Sequence, residues 1–342
     1  MRRLLLVMLL HAWACARPQA PGPPPSVLLV TFDTLRADRV GAYGDAAART
    51  PHLDRLAREG VRFERAYSAA PVTLPAHATL FTGLLPPEHG VRGNGSFALG
   101  SGPRTLAEAL RGRGLRTAAF VGAFPVAQRF GLGRGFDSYD DAFSRAPGLH
   151  FDFAERRADR VVEAAESWLQ ANAGPVFVWV HLYDPHAPYD PPEGYGQGDR
   201  YRGEIAFADA MFGRLLAVWE ARPGPAFVAA TSDHGEAFGE RGEESHGLFV
   251  YDTTLRVPLL LRGPGLPAGR QVAEAVGLVD LPATLCELAG AGAFPGRSLS
   301  ELWSKPAAAG ESARARGPLY AETLAPRLDF GWSELRAWRD GR

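Results

Sequence analysis

Three stretches of the chain are apolar without interruption and then end in acidic or imidazole side chains. Residues 26–33 run through Val27, Leu28, Leu29 and Val30 to Asp33, residues 175–184 through Val176, Phe177 and Trp179 to Asp184, and residues 225–234 through Phe227 and Val228 to Asp233 and His234. A fourth, residues 116–122, has the same apolar character without the polar ending. Continuous apolar, β-branched runs of this length suit strands buried on both faces of a parallel sheet. Between them lie segments of helical character: residues 51–59 behind Thr50, residues 106–113, residues 155–171 and residues 201–219. Strands alternating with helices predict an α/β fold, a mostly parallel central sheet flanked by helices on both faces. In such sheets functional groups gather beyond the carboxyl ends of the strands, and Asp33, Asp184, Asp233 and His234 all fall there.

The amino terminus follows another grammar. Arg2 and Arg3 precede an apolar run, Leu4 to Leu10, that is shorter than the ~20 residues of a membrane-spanning helix. This is the pattern of an export signal over residues 1–15, and it predicts an exported protein. Ala14 before Cys15 is similar to a bacterial lipoprotein cleavage site, so a lipid-anchored form and a soluble periplasmic or secreted form both stay open. Residues 16–25 are rich in proline and read as an extended tether to a catalytic domain over residues 26–342.

Charge then narrows the partners. With 37 basic and 38 acidic residues the formal net charge is -1, which gives no electrostatic case for nucleic acid. Any anion must be gripped locally. Two cysteines, Cys15 and Cys286, exclude a disulfide framework or a zinc-thiolate centre, and Cys286 sits in a helix-like run where a small buried thiol is expected.

Residues 71–83 predict a helix that starts just after Thr73, with threonine as the cap and Pro75 in the first turn. The positive end of that helix then points at Thr73 and favours an alkoxide or a bound anion there. His77, four residues on, falls on the same face. A capping threonine and a surface histidine would show the same pattern.

Taken in order, the segments Asp33-Thr34-Leu35-Arg36-Ala37-Asp38, Gly41-Ala42-Tyr43-Gly44, Leu80-Phe81-Thr82-Gly83, Asp184-Pro185-His186-Ala187-Pro188-Tyr189, Ser232-Asp233-His234-Gly235 and Leu255-Arg256-Val257-Pro258-Leu259 resemble the sulfatase family within the alkaline-phosphatase superfamily. The resemblance implies a nucleophile at Thr73 and a divalent metal ion held by Asp33, Thr73, Asp233 and His234. Two departures stand out. Sulfatases carry a cysteine or serine that is oxidised to formylglycine, and an arginine four residues later; here Thr73 and His77 take those positions. Sulfatases also hold calcium with an all-oxygen set, whereas Thr34 and His234 replace two of those oxygen donors. A nitrogen ligand and fewer carboxylates favour zinc or manganese, with calcium as the alternative.

On this reading the chain is a metal-dependent hydrolase of phosphate or sulfate esters, with phosphate mono- and diesters favoured, that acts through a covalent intermediate on Thr73. The competing readings are a true sulfuric ester hydrolase, an envelope phosphoryl transferase and a non-catalytic metal-stabilised binding protein. The expected substrate is a small-molecule, glycan-linked or lipid-linked ester. His77, His181, His186 and His246 are candidates to grip substrate oxygens or protonate the leaving group, and Asp184 is a candidate ligand of a second metal. The acidic stretch holding Glu236, Glu240, Glu243 and Glu244 reads as a solvated loop. At the far end, residues 335–339 read as a strand followed by an Asp340-Gly341 turn and no partner, which predicts a truncated chain lacking its small C-terminal sheet.

Overall fold

The computed structural model describes residues 23–143, 155–304 and 317–340. The export signal, Cys15 and most of the proline-rich tether lie outside these residues. Among the described residues no helix is long and apolar enough to cross a membrane. The strands are β1 (Ser26–Phe32), β2 (Val61–Tyr67), β3 (Arg116–Val121), β4 (Ser138–Asp140), β5 (Val176–Leu182), β6 (Ala226–Ser232), β7 (Arg256–Arg262) and β8 (Arg270–Gly277). They form one sheet in the order β4-β3-β5-β1-β6-β7-β2-β8. Every pair is parallel except the two that β7 makes with β6 and β2. The four strands read from sequence are β1, β3, β5 and β6, and they are contiguous in the sheet.

Helices α1 (Pro51–Glu59), α2 (Thr73–Thr82), α3 (Pro86–His89), α4 (Leu106–Gly112), α5 (Ala158–Ala171), α6 (Arg200–Glu220), α7 (Asp252–Leu255), α8 (Leu281–Ala289) and α9 (Ser300–Ser304) connect the strands. Alternation along a strand decides which helix each side chain meets. Val27 and Leu29 of β1 join a core with Leu74 and Phe81 of α2, Leu106 of α4 and Leu285 of α8. Leu28, Val30 and Phe32 join a second core with Leu56 of α1, Val161 of α5 and Phe212 of α6. Helices therefore cover both faces, as predicted. Cys286 is buried in the first core, where burial pushes its thiol up to about 12.

The same alternation carries function. Thr31 and Asp33 continue the row of Val27 and Leu29, His181 continues that of Phe177 and Trp179, and Asp233 follows Ala229 two steps on. All four side chains are thereby directed to the face that α2 covers, and α2 carries Thr73 and His77.

The C-terminal expectation needs correcting. Residues 335–339 are a strand, β10 (Leu335–Arg339), and it has a partner: β9 (Leu319–Thr323), which pairs with it antiparallel so that Trp338 lies opposite Tyr320. The partner precedes β10 rather than following the Asp340 turn. A short helix, Ala325–Phe330, ends at Gly331 with φ 70° and brings the chain back. A small C-terminal sheet of two strands is thus present.

Candidate active site

Helix α2 begins at Thr73 itself, one residue earlier than the sequence suggests, and Val72 is the residue before the first turn. Asn94 performs the capping that threonine was expected to provide: its Oδ1 accepts the Leu74 amide at 2.8 Å. Pro75 has no amide to satisfy. The Thr73 hydroxyl is left free of capping and lies 3.4 Å from His234 Nε2. Gly83, with φ 65°, closes the helix.

Strand register sets the carboxylates side by side. Phe32 of β1 pairs with Ser232 of β6, so Asp33 and Asp233 follow as neighbours. One donor atom each from Asp33, Asp233 and His234 lies within 4.8 Å of the other two, and all three residues are fully buried. Asp233 Oδ1 accepts the amides of His234 at 2.9 Å and Thr34 at 3.3 Å, which leaves Oδ2 without a partner. Both oxygens of Asp33 are likewise unpartnered among the described residues. His234 Nδ1 faces the Gly235 carbonyl at 2.9 Å; a carbonyl only accepts, so Nδ1 carries the hydrogen. Its Nε2 lone pair then faces Asp233 Oδ2 at 3.5 Å and Asp33 Oδ1 at 3.8 Å.

Thr34 sits where this geometry is enforced. Its φ of 53° lies in the left-handed region that a β-branched residue avoids. Its hydroxyl donates to the Pro185 carbonyl at 2.7 Å and its own carbonyl accepts the Tyr201 hydroxyl at 2.7 Å, which pins the strained turn.

Burial pushes Asp33 up, and pushes Asp233 well up with the help of the like charge on Asp33. Burial also drives His234 well below the ordinary imidazole range. Two carboxylates and an imidazole lone pair, buried with open valences, are costly alone and are satisfied together by one cation. The residues present therefore fit a divalent metal ion.

Two of the predicted histidines flank this cluster. His246 lies with its ring 4.5 Å from that of His234 and 5.0 Å from that of His186. Its Nδ1 is 3.0 Å from Glu236 Oε1. Burial alone would lower the His246 pKa, but the hydrogen bond and charge of Glu236 outweigh it and the net shift is upward. His186 Nδ1 faces the Tyr183 hydroxyl at 2.8 Å and the Ala187 carbonyl at 2.5 Å, leaving Nε2 for another partner. His77 and His181 lie deeper, fully buried below the carboxylates: His77 Nδ1 is 3.6 Å from Asp233 Oδ2 and His181 Nε2 is 3.4 Å from Asp33 Oδ2.

Two acidic positions differ from what the sequence suggests. Asp184, read as a candidate ligand of a second metal, lies apart from the Asp33, Asp233 and His234 cluster: it accepts the Ala158 amide at 2.9 and 3.2 Å and so caps α5. Its position at a strand end suited a ligand, but the residue parity of β5 turns it to the α5 face. Glu236 is not in a solvated loop: it is fully buried and accepts from His246, Ser245 and Tyr189. Glu243 is buried as well and accepts the amides of Leu248 and Phe249. Their chain neighbours Glu240 and Glu244 disguised them; the one available signal was the spacing of Glu236 just after His234.

Comparison with known proteins bears directly on this arrangement. A family model described as Sulfatase matches residues 25–291. The chain belongs to the sulfatase family. Among curated relatives, this sulfatase-family chain is 26% identical to the uncharacterized sulfatase YidJ of Escherichia coli (strain K12), over 78% of this chain and 68% of that protein. It is 28% identical to the steryl-sulfatase of Mus musculus, over 80% of this chain and 63% of that protein. Among solved structures, the phosphonate monoester hydrolase of Agrobacterium radiobacter superposes with a TM-score of 0.73 at 23% identity, covering 93% of this chain and 86% of that one. That likeness is one of fold. The family is one of metal-dependent ester hydrolases, and the Asp33, Asp233 and His234 cluster is where a metal fits in this member.

Proposed function

We propose that this chain hydrolyses phosphate esters, mono- and diesters, through a covalent intermediate on Thr73. The observation that carries the reading is the Thr73 hydroxyl, uncapped at the amino end of α2 and 3.4 Å from His234 Nε2. A divalent cation held by Asp33, Asp233 and His234, for which the nitrogen ligand favours zinc or manganese, would supply positive charge beside Thr73 and the substrate oxygens. Such a cation would lower the pKa of the Thr73 hydroxyl, whose proton would pass to solvent. Thr73 Oγ1 then attacks phosphorus in line; the bond from phosphorus to the leaving alcohol breaks, and the departing oxygen takes a proton from His246 Nε2. Glu236 holds the other ring nitrogen of His246. A water molecule, losing its proton to His246, attacks phosphorus from the vacated side and displaces Thr73 Oγ1, which regenerates the enzyme. His186 Nε2, whose hydrogen the Ala187 carbonyl keeps on Nδ1, offers a lone pair that can accept a hydrogen bond from a substrate hydroxyl.

Threonine is the reason for preferring phosphorus to sulfur. A formylglycine hydrate expels sulfate with its second hydroxyl, and a hydroxyl beside a methyl group has no such second hydroxyl. A phosphothreonine, by contrast, is open to in-line attack by water. Relatives named for sulfate esters and for phosphonate monoesters both occur on this fold.

The test is rapid quenching of the metal-loaded enzyme during turnover of 4-nitrophenyl phosphate, followed by peptide mass analysis. A phosphorylated peptide containing Thr73, absent in a folded and inactive Thr73→Ala variant, is expected, with Thr73→Ser keeping measurable turnover. Full activity in Thr73→Ala would sink the mechanism.

A further inference from the structure

Beneath the carboxylates lies a hydroxyl for which the reaction just described has no use. Thr31, near the end of β1, is fully buried in a strand where valine would fill the same space at no polar cost. Three ring nitrogens converge on its Oγ1: Trp179 Nε1 at 3.0 Å, His77 Nε2 at 3.1 Å and His181 Nδ1 at 3.1 Å. A hydroxyl has one hydrogen and two lone pairs, and an indole N–H only donates. Trp179 therefore takes one lone pair; His77, whose hydrogen the Thr73 carbonyl keeps on Nδ1, receives the Thr31 hydrogen at Nε2, and His181 Nδ1 donates to the remaining lone pair, which leaves His181 Nε2 as a lone pair. Every valence of the oxygen is then filled without water. His77 is tied at its other side as well, because its Nδ1 lies 2.8 Å from the Thr73 carbonyl.

The outward edges of the two imidazoles face the two carboxylates, His181 Nε2 toward Asp33 at 3.4 Å and His77 Nδ1 toward Asp233 at 3.6 Å. None of Thr31, His77, Trp179 and His181 has measurable exposure, so the array has no solvent into which to relax. The rings also pack on one another, with His77 and His181 edge to face at 4.9 Å and His77 5.3 Å from Trp179.

We propose that Thr31 is a positioning residue for the cation site: its single hydroxyl fixes the planes of His77 and His181, which keeps the His77 Nδ1–H beside Asp233 Oδ2 and the His181 Nε2 lone pair beside Asp33 Oδ2, two facing lone pairs that a shared cation satisfies. The proposal rests on the metal reading above and is independent of which residue is the nucleophile. Groups that orient ligands from behind typically change metal affinity by about 10–100-fold when removed.

The experiment is calorimetric titration of the chelator-stripped full chain with Zn²⁺ and with Mn²⁺, on variants whose thermal melts show them folded. Thr31→Val keeps the volume and removes the hydroxyl, and is expected to weaken binding by about 10–100-fold. Thr31→Ser restores the hydroxyl and is expected to bind as the wild type does, a rescue that a mere packing role would not give. His181→Phe is expected to weaken binding comparably, and the double variant no further than the weaker single one, because both act through one array. If Thr31→Val does not fold, loss of affinity in His181→Phe together with retention in Thr31→Ser supports the role. Wild-type affinity in a folded Thr31→Val or in His181→Phe overturns it. A wild type that takes up neither ion overturns the metal reading, and this role with it.

Discussion

Burial holds His77, His89, His181 and His234 below the ordinary imidazole range, and for His89 the consequence can be measured away from the metal cluster. His89 Nδ1 accepts the Val91 amide at 3.1 Å, so its hydrogen is on Nε2, 3.1 Å from the Thr79 hydroxyl. Burial first, and then the charge of Arg92, lower its pKa to about 4. Between that value and about 6.5 the unfolded chain binds a proton that the folded chain refuses, so stability rises with pH across this window. The contribution is complete above about 6.5 and is lost as pH falls toward 4. Urea unfolding should show that His89→Asn loses about 2 kcal/mol less than the wild type does between pH 7.5 and pH 5; equal losses would contradict the assignment. At this scale the sequence was informative wherever chemistry coincided with a strand end: Asp33, Asp233 and His234 stand where their segments place them, while Thr73 opens α2 one residue earlier than its segment suggests. Thr31 gave no signal, because a threonine inside an apolar strand is unremarkable until a neighbouring strand and a helix turn their rings toward it. Glu236 was hidden by the glutamates that follow it.

At the level of elements, α2 matters most, since its first residue is the proposed nucleophile and its cap comes from elsewhere in the chain. Asn94→Ala removes the acceptor of the Leu74 amide. It should cost about 1 kcal/mol of stability, the usual worth of such a cap. Turnover should fall as well, through kcat rather than KM, because the first turn that carries Thr73 loses its anchor; an unchanged kcat in a measurably destabilised variant would separate the cap from the chemistry. The inner strands β1, β3, β5 and β6 were legible because burial on both faces leaves unbroken apolar runs. The strands toward the other edge were not. In β2 a register shift between Phe63 and Ala66 breaks the two-residue period, and the strand interleaves Arg62, Glu64 and Arg65 with its buried positions. In β8 Arg270, Gln271 and Glu274 do the same. In β7, Pro258 interrupts the strand pattern, yet its carbonyl accepts the Thr231 hydroxyl at 2.8 Å and neighbouring residues pair on both sides.

For the molecule as a whole, the α/β class and the two helical layers follow from local pattern, whereas strand order does not. That β7 enters antiparallel between β6 and β2, and that β9 returns to pair with β10, depends on contacts between residues far apart in sequence, to which no local period refers. The sheet nonetheless brings every part of the proposed site to the carboxyl ends of β1, β5 and β6 and to the start of α2. The central claim is that this scaffold, loaded with a divalent cation, cleaves phosphorus esters in preference to sulfur esters because its nucleophile is an unmodified threonine. The most direct measurement is kcat/KM of the full chain, stripped with chelator and reloaded with Zn²⁺ or Mn²⁺, on 4-nitrophenyl phosphate, bis(4-nitrophenyl) phosphate and 4-nitrophenyl sulfate, which share one leaving group. The account predicts that activity vanishes on stripping, returns on reloading, and is higher on at least one phosphate ester than on the sulfate. Faster cleavage of the sulfate than of both phosphate esters, or full activity in the stripped protein, would contradict it.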